Sequence, residues 1–391
     1  MVPEGWERQS LGDLLEFKNG FNTEKANYGH GTPFINVSEV LKHESLTADL
    51  IPGQVSVTGK ELSANSVVHG DILFNRTSET TDEVGFTAVY LDTVPVIFGG
   101  FVIRGRPTNG SLHPEFTKYA LRQPSVRSEI IRRSQGAVRS NIGQGELSKV
   151  EVALPPLPEQ RKIADILSTW DAAIEKTEAL LATAKAQKRA LMQSLLTGKR
   201  RFPEFESQPW KDVRLGEAEE NGWLKLNRGK VISKKDIAAF PGEYPIYSSS
   251  VVGKGEFGRY AEHMFDEELI TWSVDGGGHF FHRKRHKFSV TNVCGWMRVD
   301  TNIINYAFMA AQLQFLHQRL QFDYQSKAHP SVIRNIYDIV VPSLPEQQAI
   351  GRVAADCDNE IQTLENDITR LRTEKKALMQ QLLTGKRRVS V

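Results

Sequence analysis

From Ile163 onward, apolar and small residues recur in steps of four and three: Ile163, Leu167, Trp170, Ile174, Thr177, Leu181, Ala184, Lys188, Leu191 and Leu195. That spacing keeps one helix face at a period of 3.5 residues, the seam of a coiled coil. A second seam follows 187 residues later, at Ile350, Ala354, Cys357, Ile361, Leu364, Ile368, Leu371, Lys375, Leu378 and Leu382. A lysine interrupts both at the same step. The pattern predicts two long helices packed on each other. The other reading is two unrelated surface helices, each resting on its own globule. In a centred register Lys375 faces Trp170 and Lys188 faces Cys357, which leaves two readings for the lysines: a cation over the indole face, or stems reaching out to solvent.

The helices belong to a longer repeat. Pro155–Arg201 lies on Pro342–Arg388 without a gap, with 21 identities in 47 positions, where chance gives about three. "ALMQSLLTGKRR" closes the first copy and "ALMQQLLTGKRR" the second. Pro158 and Pro345 suit a first helical turn, and Glu159 and Glu346 suit the positive end of the helix dipole. Gly198 and Gly385 suit a C-terminal cap. Weaker echoes lie upstream: "WERQSLGD" (Trp6–Asp13) with "WKDVRLGE" (Trp210–Glu217), and "VEVALPPLPEQ" (Val150–Gln160) with "YDIVVPSLPEQ" (Tyr337–Gln347). Connectivity sets the direction. The first helix leads from one block to the next and the second starts where the second block ends, so full-length packing makes them antiparallel. About 38 residues at ~1.5 Å each give a rod of roughly 57 Å, with the chain's two ends close together.

Outside the helices the periodicity changes to short apolar runs broken by glycine and polar turns. "GDILFNRTSETTDEVGFTAVYL" (Gly70–Leu91) reads as strand, polar loop, strand, and "PEFTKYALRQPSVRSEIIRRS" (Pro114–Ser134) as helices. "EELITWSVDGGGHFFHRKRHKFSV" (Glu267–Val290) repeats the hairpin with a different loop, and "NYAFMAAQLQFLHQRL" (Asn305–Leu320) the helices. The fold class is α+β: two α+β blocks separated by two long antiparallel helices, related by a pseudo-twofold internal repeat. The expected divisions are 1–154, 155–201, 202–341 and 342–391.

Composition narrows the class. No run of eighteen apolar residues spans a membrane, and the start lacks a signal-peptide pattern, so the expected location is the cytoplasm. Two cysteines, Cys294 and Cys357, exclude a disulfide framework. A net charge of +2 permits a nucleic-acid partner without requiring one, so the placement of charge matters more than its sum.

Candidate chemistry is sparse. There is no GxxxxGK[ST] phosphate loop, no glycine-rich turn opening a helix with an acidic residue downstream, and no Asn-Pro-Pro-aromatic signature of amino-methylating enzymes. No catalytic residue is therefore assigned. His279, His282, His286 and Cys294 raise a metal hypothesis, but their spacing is unfamiliar for zinc, and Arg283, Lys284, Arg285 and Lys287 repel a cation. Phosphate or base contact is a simpler use of that run, and a solvated charged strand is the plainest. The first block has Arg122, Arg127, Arg132, Arg133 and Arg139 around "SQGAVRSN" (Ser134–Asn141), including Gln135. Arg132 and Arg133 cannot share one helix face. "YQSKAHPS" (Tyr324–Ser331), with Lys327 and His329, holds the equivalent place in the second block. Asn75, Arg76, Thr77 and Ser78 are donor and acceptor types that read base edges, or else ordinary surface polar groups; in the second block the candidate contacts are Ser248, Ser249, Ser273 and Asp275.

Two variable blocks, each followed by an "LPxLPEQ" helix, with the second helix ending the sequence, resemble the specificity subunit of type I restriction–modification systems. The resemblance covers nearly the whole chain and is strongest in "PPLPEQRKIADIL" (Pro155–Leu167), "PSLPEQQAIGRVA" (Pro342–Ala354) and the "LLTGKRR" endings. It implies two target recognition domains, each reading half of a split asymmetric site in double-stranded DNA, and a helical spacer between them. It also implies docking of two methyltransferase subunits and two restriction–motor subunits, a role in DNA methylation and phage defence, and no catalysis by this chain. AdoMet, ATP and Mg2+ then belong to the partners. Three alternatives stay open: a specificity subunit of a modification-only or other methyltransferase complex, an enzyme with an unrecognised nuclease or methyltransferase site, and a protein scaffold whose basic runs are merely solvated.

Overall fold

The computed structural model describes residues 2–136, 139–250, 252–275, 279–320 and 327–390. The chain divides into two compact units, one formed by Met1–Lys176 with Ile368–Val391 and the other by Thr177–Asp367. Each unit thus holds one variable block, one end of the first long helix and the opposite end of the second.

The two long helices are Leu157–Leu196 and Leu344–Leu382, each unbroken. Proline is the second residue of both, where its missing N–H costs no hydrogen bond. Gly198 and Gly385 stop them, at φ +68° and +66°, a region that favours glycine. The Arg200 and Arg387 N–H groups then fold back to the Ser194 and Gln381 carbonyls, both at 3.1 Å. None of the twenty seam positions is exposed, whereas most positions between them are. In the first unit Ile163 and Leu167 share a core with Leu378 and Leu382; in the second, Leu191 and Leu195 share one with Ile350 and Ala354. An early residue of one helix meets a late residue of the other in both units, which makes the pairing antiparallel. Burial of each such side chain is worth about 1.5–3 kcal/mol.

The two lysines in the seam follow neither sequence-level reading. Lys375 pairs with Asp171, lies 3.7 Å from Glu44 and sits over the Tyr119 ring at 5.2 Å, not over Trp170. Lys188 pairs with Asp358, the residue equivalent to Asp171. A carboxylate one step off the seam captures each ammonium, so neither stem has to reach bulk water.

The sheets repeat as well. In the first unit the spatial order is Leu15–Asn19, Val102–Pro107, Ile72–Asn75, Thr87–Tyr90, Ser45–Leu46. In the second it is Leu224–Arg228, Cys294–Val299, Phe265–Ser273, Phe280–Val290, Tyr244–Tyr247, with Glu256–Tyr260 added at the edge. Each begins with three antiparallel pairings and then takes one parallel strand. Separate two-stranded ribbons, Glu7–Ser10 with Glu151–Leu154 and Lys211–Arg214 with Asp338–Val341, lead into the long helices. The predicted helices are Pro114–Ala120 and Pro124–Arg133 in the first unit, and Tyr306–His317 in the second, which also contains Pro330–Ile336. In the first unit the main core runs from the sheet to the helix ends through Phe74, Ile103, Phe116 and Ile163; in the second, Ile270, Trp272, Met309 and Ile339 form the main core, and Phe308 joins a separate cluster at the helix ends with Ile350.

The repeated "PEQ" accounts for this junction. Gln160, almost fully buried, donates both amide protons, to the carbonyls of Ser111 (2.8 Å) and Pro155 (2.9 Å), and accepts the His113 N–H at 2.9 Å. Gln347 donates to Ile303 and Pro342 and accepts from Asn305, all at 2.9 Å. Each glutamine therefore clips the helix start to the loop ahead of the domain's packing helix. Glu159 and Glu346 accept from the indoles of Trp6 (3.2 Å) and Trp210 (2.9 Å), which explains the upstream tryptophan echo.

Candidate nucleic-acid interface

In the first unit the strand Ile72–Asn75 ends beside the start of Val102–Pro107, with Asn75 opposite Val102. At that sheet end Thr77–Ser78 pairs with Ser140–Asn141. Thr77 Oγ1 donates to Asn141 Oδ1 at 2.6 Å, and Asn141 Nδ2 donates to the Arg139 carbonyl at 3.0 Å. Gln135 is exposed and bridges to Asn141 through the backbone. Arg76 is half-buried, its guanidinium 3.4 Å from the Gly100 carbonyl. Arg139 is exposed beside Glu79 at 3.2 Å. Arg132 projects, 74% exposed, while Arg133 turns in to Glu129 at 2.9 Å. An open cleft of about 450 Å³ is lined by Arg132, Arg133, Ser134, Gln135 and Glu146.

Four expected surface groups are spent inside. Asn75 is fully buried; its amide donates to the Glu83 carbonyl at 3.0 Å and accepts the Thr77 N–H. Ser78 donates to Glu83 at 2.8 Å. Arg122 and Arg127 lie over the Phe86 ring at 4.6 and 4.8 Å and donate to backbone carbonyls. Burial lowers the Arg127 pKa to about 10. These residues shape the loop instead of presenting donors to a ligand, because enclosed polar atoms must be satisfied within the fold. Ala137 and Val138, within the expected Ser134–Asn141 stretch, lie outside the described residues.

The second unit builds the corresponding sheet end from other residues. Ser273 stands opposite Cys294, as Asn75 stands opposite Val102. Ser273 is buried, like Asn75. Asp275 then pairs with exposed Lys327 at 3.0 Å. Next to it, Arg228 Nη1 lies 3.2 Å from His329 Nε2, and Arg228 Nε donates to the Asn292 carbonyl at 2.7 Å. His329 Nδ1 accepts the Ser331 N–H at 3.4 Å, which caps the helix Pro330–Ile336, and lies 2.8 Å from Ser331 Oγ. Burial, then Arg228 and Arg334, lower the His329 pKa. Ser248 accepts from Thr291 Oγ1 at 3.0 Å; Ser249 is half-buried and Ser250 exposed. Gly276–Gly278 and Tyr324–Ser326 lie outside the described residues.

The basic run on Phe280–Val290 divides. Its pairing slips between Glu267 and Leu269, so Lys284 and Arg285 both face out. Asp266 lies 3.5 Å from Arg285, and Glu268 2.5 Å from His282. Cross-strand carboxylates thus offset much of the run's charge, which favours the plain reading of a solvated strand for this face. Arg283 points inward, 5% exposed, sandwiched by Tyr247 at 3.6 Å and Phe281 at 4.5 Å. It donates to Thr271 Oγ1 at 2.9 Å and to the Lys254 carbonyl at 2.6 Å. Lys254 holds φ +56°, so Arg283 secures a strained turn next to Ser248–Ser250. The four residues behind the metal hypothesis disperse: His282 goes to Glu268, His286 to Tyr247 at 3.0 Å and buried Cys294 to its neighbour's carbonyl, while the ring of half-buried His279 lies tilted against Phe281 at 4.5 Å.

Phe101, Arg228 and Asn141 were not singled out from the sequence. "FGGFV" (Phe98–Val102) carried a usable signal: two glycines between apolar runs mark a tight turn, which leaves its last residue little room to be buried.

The family model for the type I restriction modification DNA specificity domain matches residues 3–185 and 208–372. A Methanocaldococcus jannaschii chain named as the specificity subunit of the type I restriction enzyme MjaX is 23% identical over 99% of this chain and 95% of its own length. The Mycoplasma pneumoniae type I restriction enzyme MpnII specificity subunit is 27% identical over 33% of this chain and 39% of its own. The crystal structure of the S subunit of a type I restriction–modification system from M. genitalium shares the fold, with a TM-score of 0.66 at 17% identity over 97% of this chain and 96% of that one. A chain from a structure described as showing complex assembly and conformational transition of the type I R-M system aligns at a TM-score of 0.56 and 16% identity over 98% of both chains. With both variable blocks and most of both long helices matched, the chain belongs to the type I restriction–modification DNA specificity family.

Proposed function

We propose that the chain reads a bipartite, asymmetric DNA site, one half with each unit, and scaffolds the methyltransferase and restriction subunits without catalysing a reaction itself. One observation carries this reading. The same sheet end in each unit bears polar and basic groups of different identity, Arg76, Thr77, Gln135, Arg139 and Asn141 in one, Arg228, Asp275, Lys327 and His329 in the other. Meanwhile the helix ends repeat nearly residue for residue. Unlike readers suit an asymmetric target, and repeated helix ends suit two copies of one partner. Exposed cations supply salt-sensitive phosphate contact, and the side-chain amides and carboxylates supply base-edge contact. AdoMet binds the methyltransferase partner; ATP and Mg2+ serve the motor partner.

The test is to co-express the chain with a methyltransferase subunit of its own system and map modified bases across a genome. Replacing 202–341 by the same block of a relative is expected to change one half of the methylated sequence and leave the other. A change in both halves, or methylation without sequence preference, overturns the reading. AdoMet binding or metal-dependent cleavage by the chain alone assigns it an active site of its own.

A further inference from the structure

We propose that Phe101 is a wedge that enters a base-pair step of duplex DNA in the half-site read by the first unit. The inference rests on the DNA-reading function above. Phe101 is 63% exposed, the most exposed large apolar side chain among the described residues of its unit. It ends a turn whose backbone is fixed on every side. The Gly99 N–H donates to the Ile35 carbonyl at 2.9 Å, the Val102 N–H to the Gly99 carbonyl at 2.8 Å, and the Arg76 N–H to the Phe101 carbonyl at 2.8 Å. A Cβ on Gly99 would meet the Phe34 ring at 2.9 Å, and one on Gly100 the Asn22 amide at 2.3 Å, so the turn packs as closely as glycine permits. The backbone beneath the ring is therefore set before any ligand arrives, which lowers the cost of ordering it on binding.

The surroundings indicate the occupant. The Ile142 N–H donates to the Arg76 carbonyl at 3.0 Å, and Thr77, Asn141 and Arg139 follow in one hydrogen-bonded chain. An apolar ring next to Arg76, on the same sheet end as Thr77, Asn141, Gln135 and Arg139, matches a ligand with anionic edges and a stacked apolar interior. Duplex DNA has both, and apolar side chains inserted between base steps kink it. Pyrimidine–purine steps unstack most readily and are the expected position. The equivalent turn of the second unit, Thr291–Cys294, carries no aromatic ring, and its Asn292 and Val293 are half-buried. The wedge is thus expected in the first half-site alone, and the other serves as an internal control.

The experiment uses the complex with its methyltransferase and a target duplex with 2-aminopurine walked through both half-sites. Beyond the adenines that the methyltransferase flips out of the stack, wild type is expected to raise fluorescence at one step of the first half-site and at none of the second. Phe101→Ala is expected to abolish that signal and weaken target binding roughly tenfold, the worth of about one lost stack. The salt slope stays unchanged, since no charge is removed. Phe101→Trp keeps both properties, and Arg139→Gln lowers the slope. The proposal is overturned if Phe101→Ala matches wild type in affinity and fluorescence while Arg139→Gln still weakens binding; DNA reading then stands without the wedge. It is equally overturned if Phe101→Ala loses the methyltransferase on co-purification, which assigns the ring to protein docking. A wild-type complex that neither binds DNA salt-dependently nor methylates it removes the parent reading instead.

Discussion

Arg201 grips Glu346 through a two-pronged fork, Nε to Oε1 at 2.9 Å and Nη2 to Oε2 at 2.7 Å, and Arg388 grips Glu159 the same way at 2.7 and 2.8 Å. Each glutamate stands in the first turn of one long helix, and each arginine follows the end of the other. The fork explains why "TGKRR" is written twice: the last arginine of each copy closes the other helix's start. Removing the arginine leaves an enclosed carboxylate with only an indole donor. Arg201→Ala is expected to lower the melting midpoint of the second unit by several degrees, and Arg388→Ala that of the first. Lysine replacements recover only part, since an ammonium cannot make the fork. Calorimetry with unchanged midpoints would show that the fork holds nothing.

The seam gives a sharper contrast. Ile350→Ala empties a site only 1% exposed and is expected to cost about 2–5 kcal/mol in denaturant unfolding. Arg189→Ala, on the exposed face of the first helix, is expected to stay within about 0.5 kcal/mol. Equal effects would contradict the assignment of the buried face.

Arg283 acts through the turn it holds. Arg283→Met preserves much of the volume between Tyr247 and Phe281 but removes the donors to Thr271 and the Lys254 carbonyl. Base preference at the second half-site is expected to relax while the first is read as before. Methylome sequencing of the variant distinguishes this from a general loss of binding, which would affect both halves.

Acid should weaken both units through histidines. His279 and His329 in the second unit, and His113 in the first, have pKa values lowered below 6.5, in each case chiefly by burial. Each therefore binds a proton more readily in the unfolded chain. Their contribution is fully present above pH 6.5 and is lost as pH falls through the folded pKa. His329→Asn is expected to flatten the fall in stability of the second unit as pH drops below 6.5. An NMR titration of His329 with a midpoint at or above 6.5 would reverse the sign.

Both long helices run unbroken from one unit into the other, so their length bears on the unread spacer of the proposed target. Adding seven residues to each keeps the heptad phase and adds ~10 Å. The preferred spacer is then expected to grow by about three base pairs at ~3.4 Å each. An unchanged spacer in a methylation assay would refute the ruler.

Helices, caps and seam were legible in the sequence because heptad spacing, proline and glycine act over neighbouring residues, and the exact repeat showed that the pattern occurs twice. The alternation of apolar runs likewise marked the paired strands Phe265–Ser273 and Phe280–Val290. The reading surface was only partly legible. Asn75 and Arg76 are adjacent and both polar, yet one is enclosed and the other half-exposed, and a slip in pairing turned Lys284 and Arg285 out together while Arg283 went in.

The sequence by itself determined the duplication, the α+β class and the antiparallel sense of the helices, since each follows from local periodicity and connectivity. Only the tertiary structure decided that Gln160 and Gln347 clip the helix starts, that Lys375 meets Asp171 and Tyr119 instead of Trp170, and that Phe101 stands out on a fixed turn. Those outcomes depend on which partner lies within about 3 Å of a polar atom, or on the lack of one beside an apolar ring. The partners that set that distance lie as far as 204 positions away along the chain, as for Lys375 and Asp171, where local periodicity carries no signal.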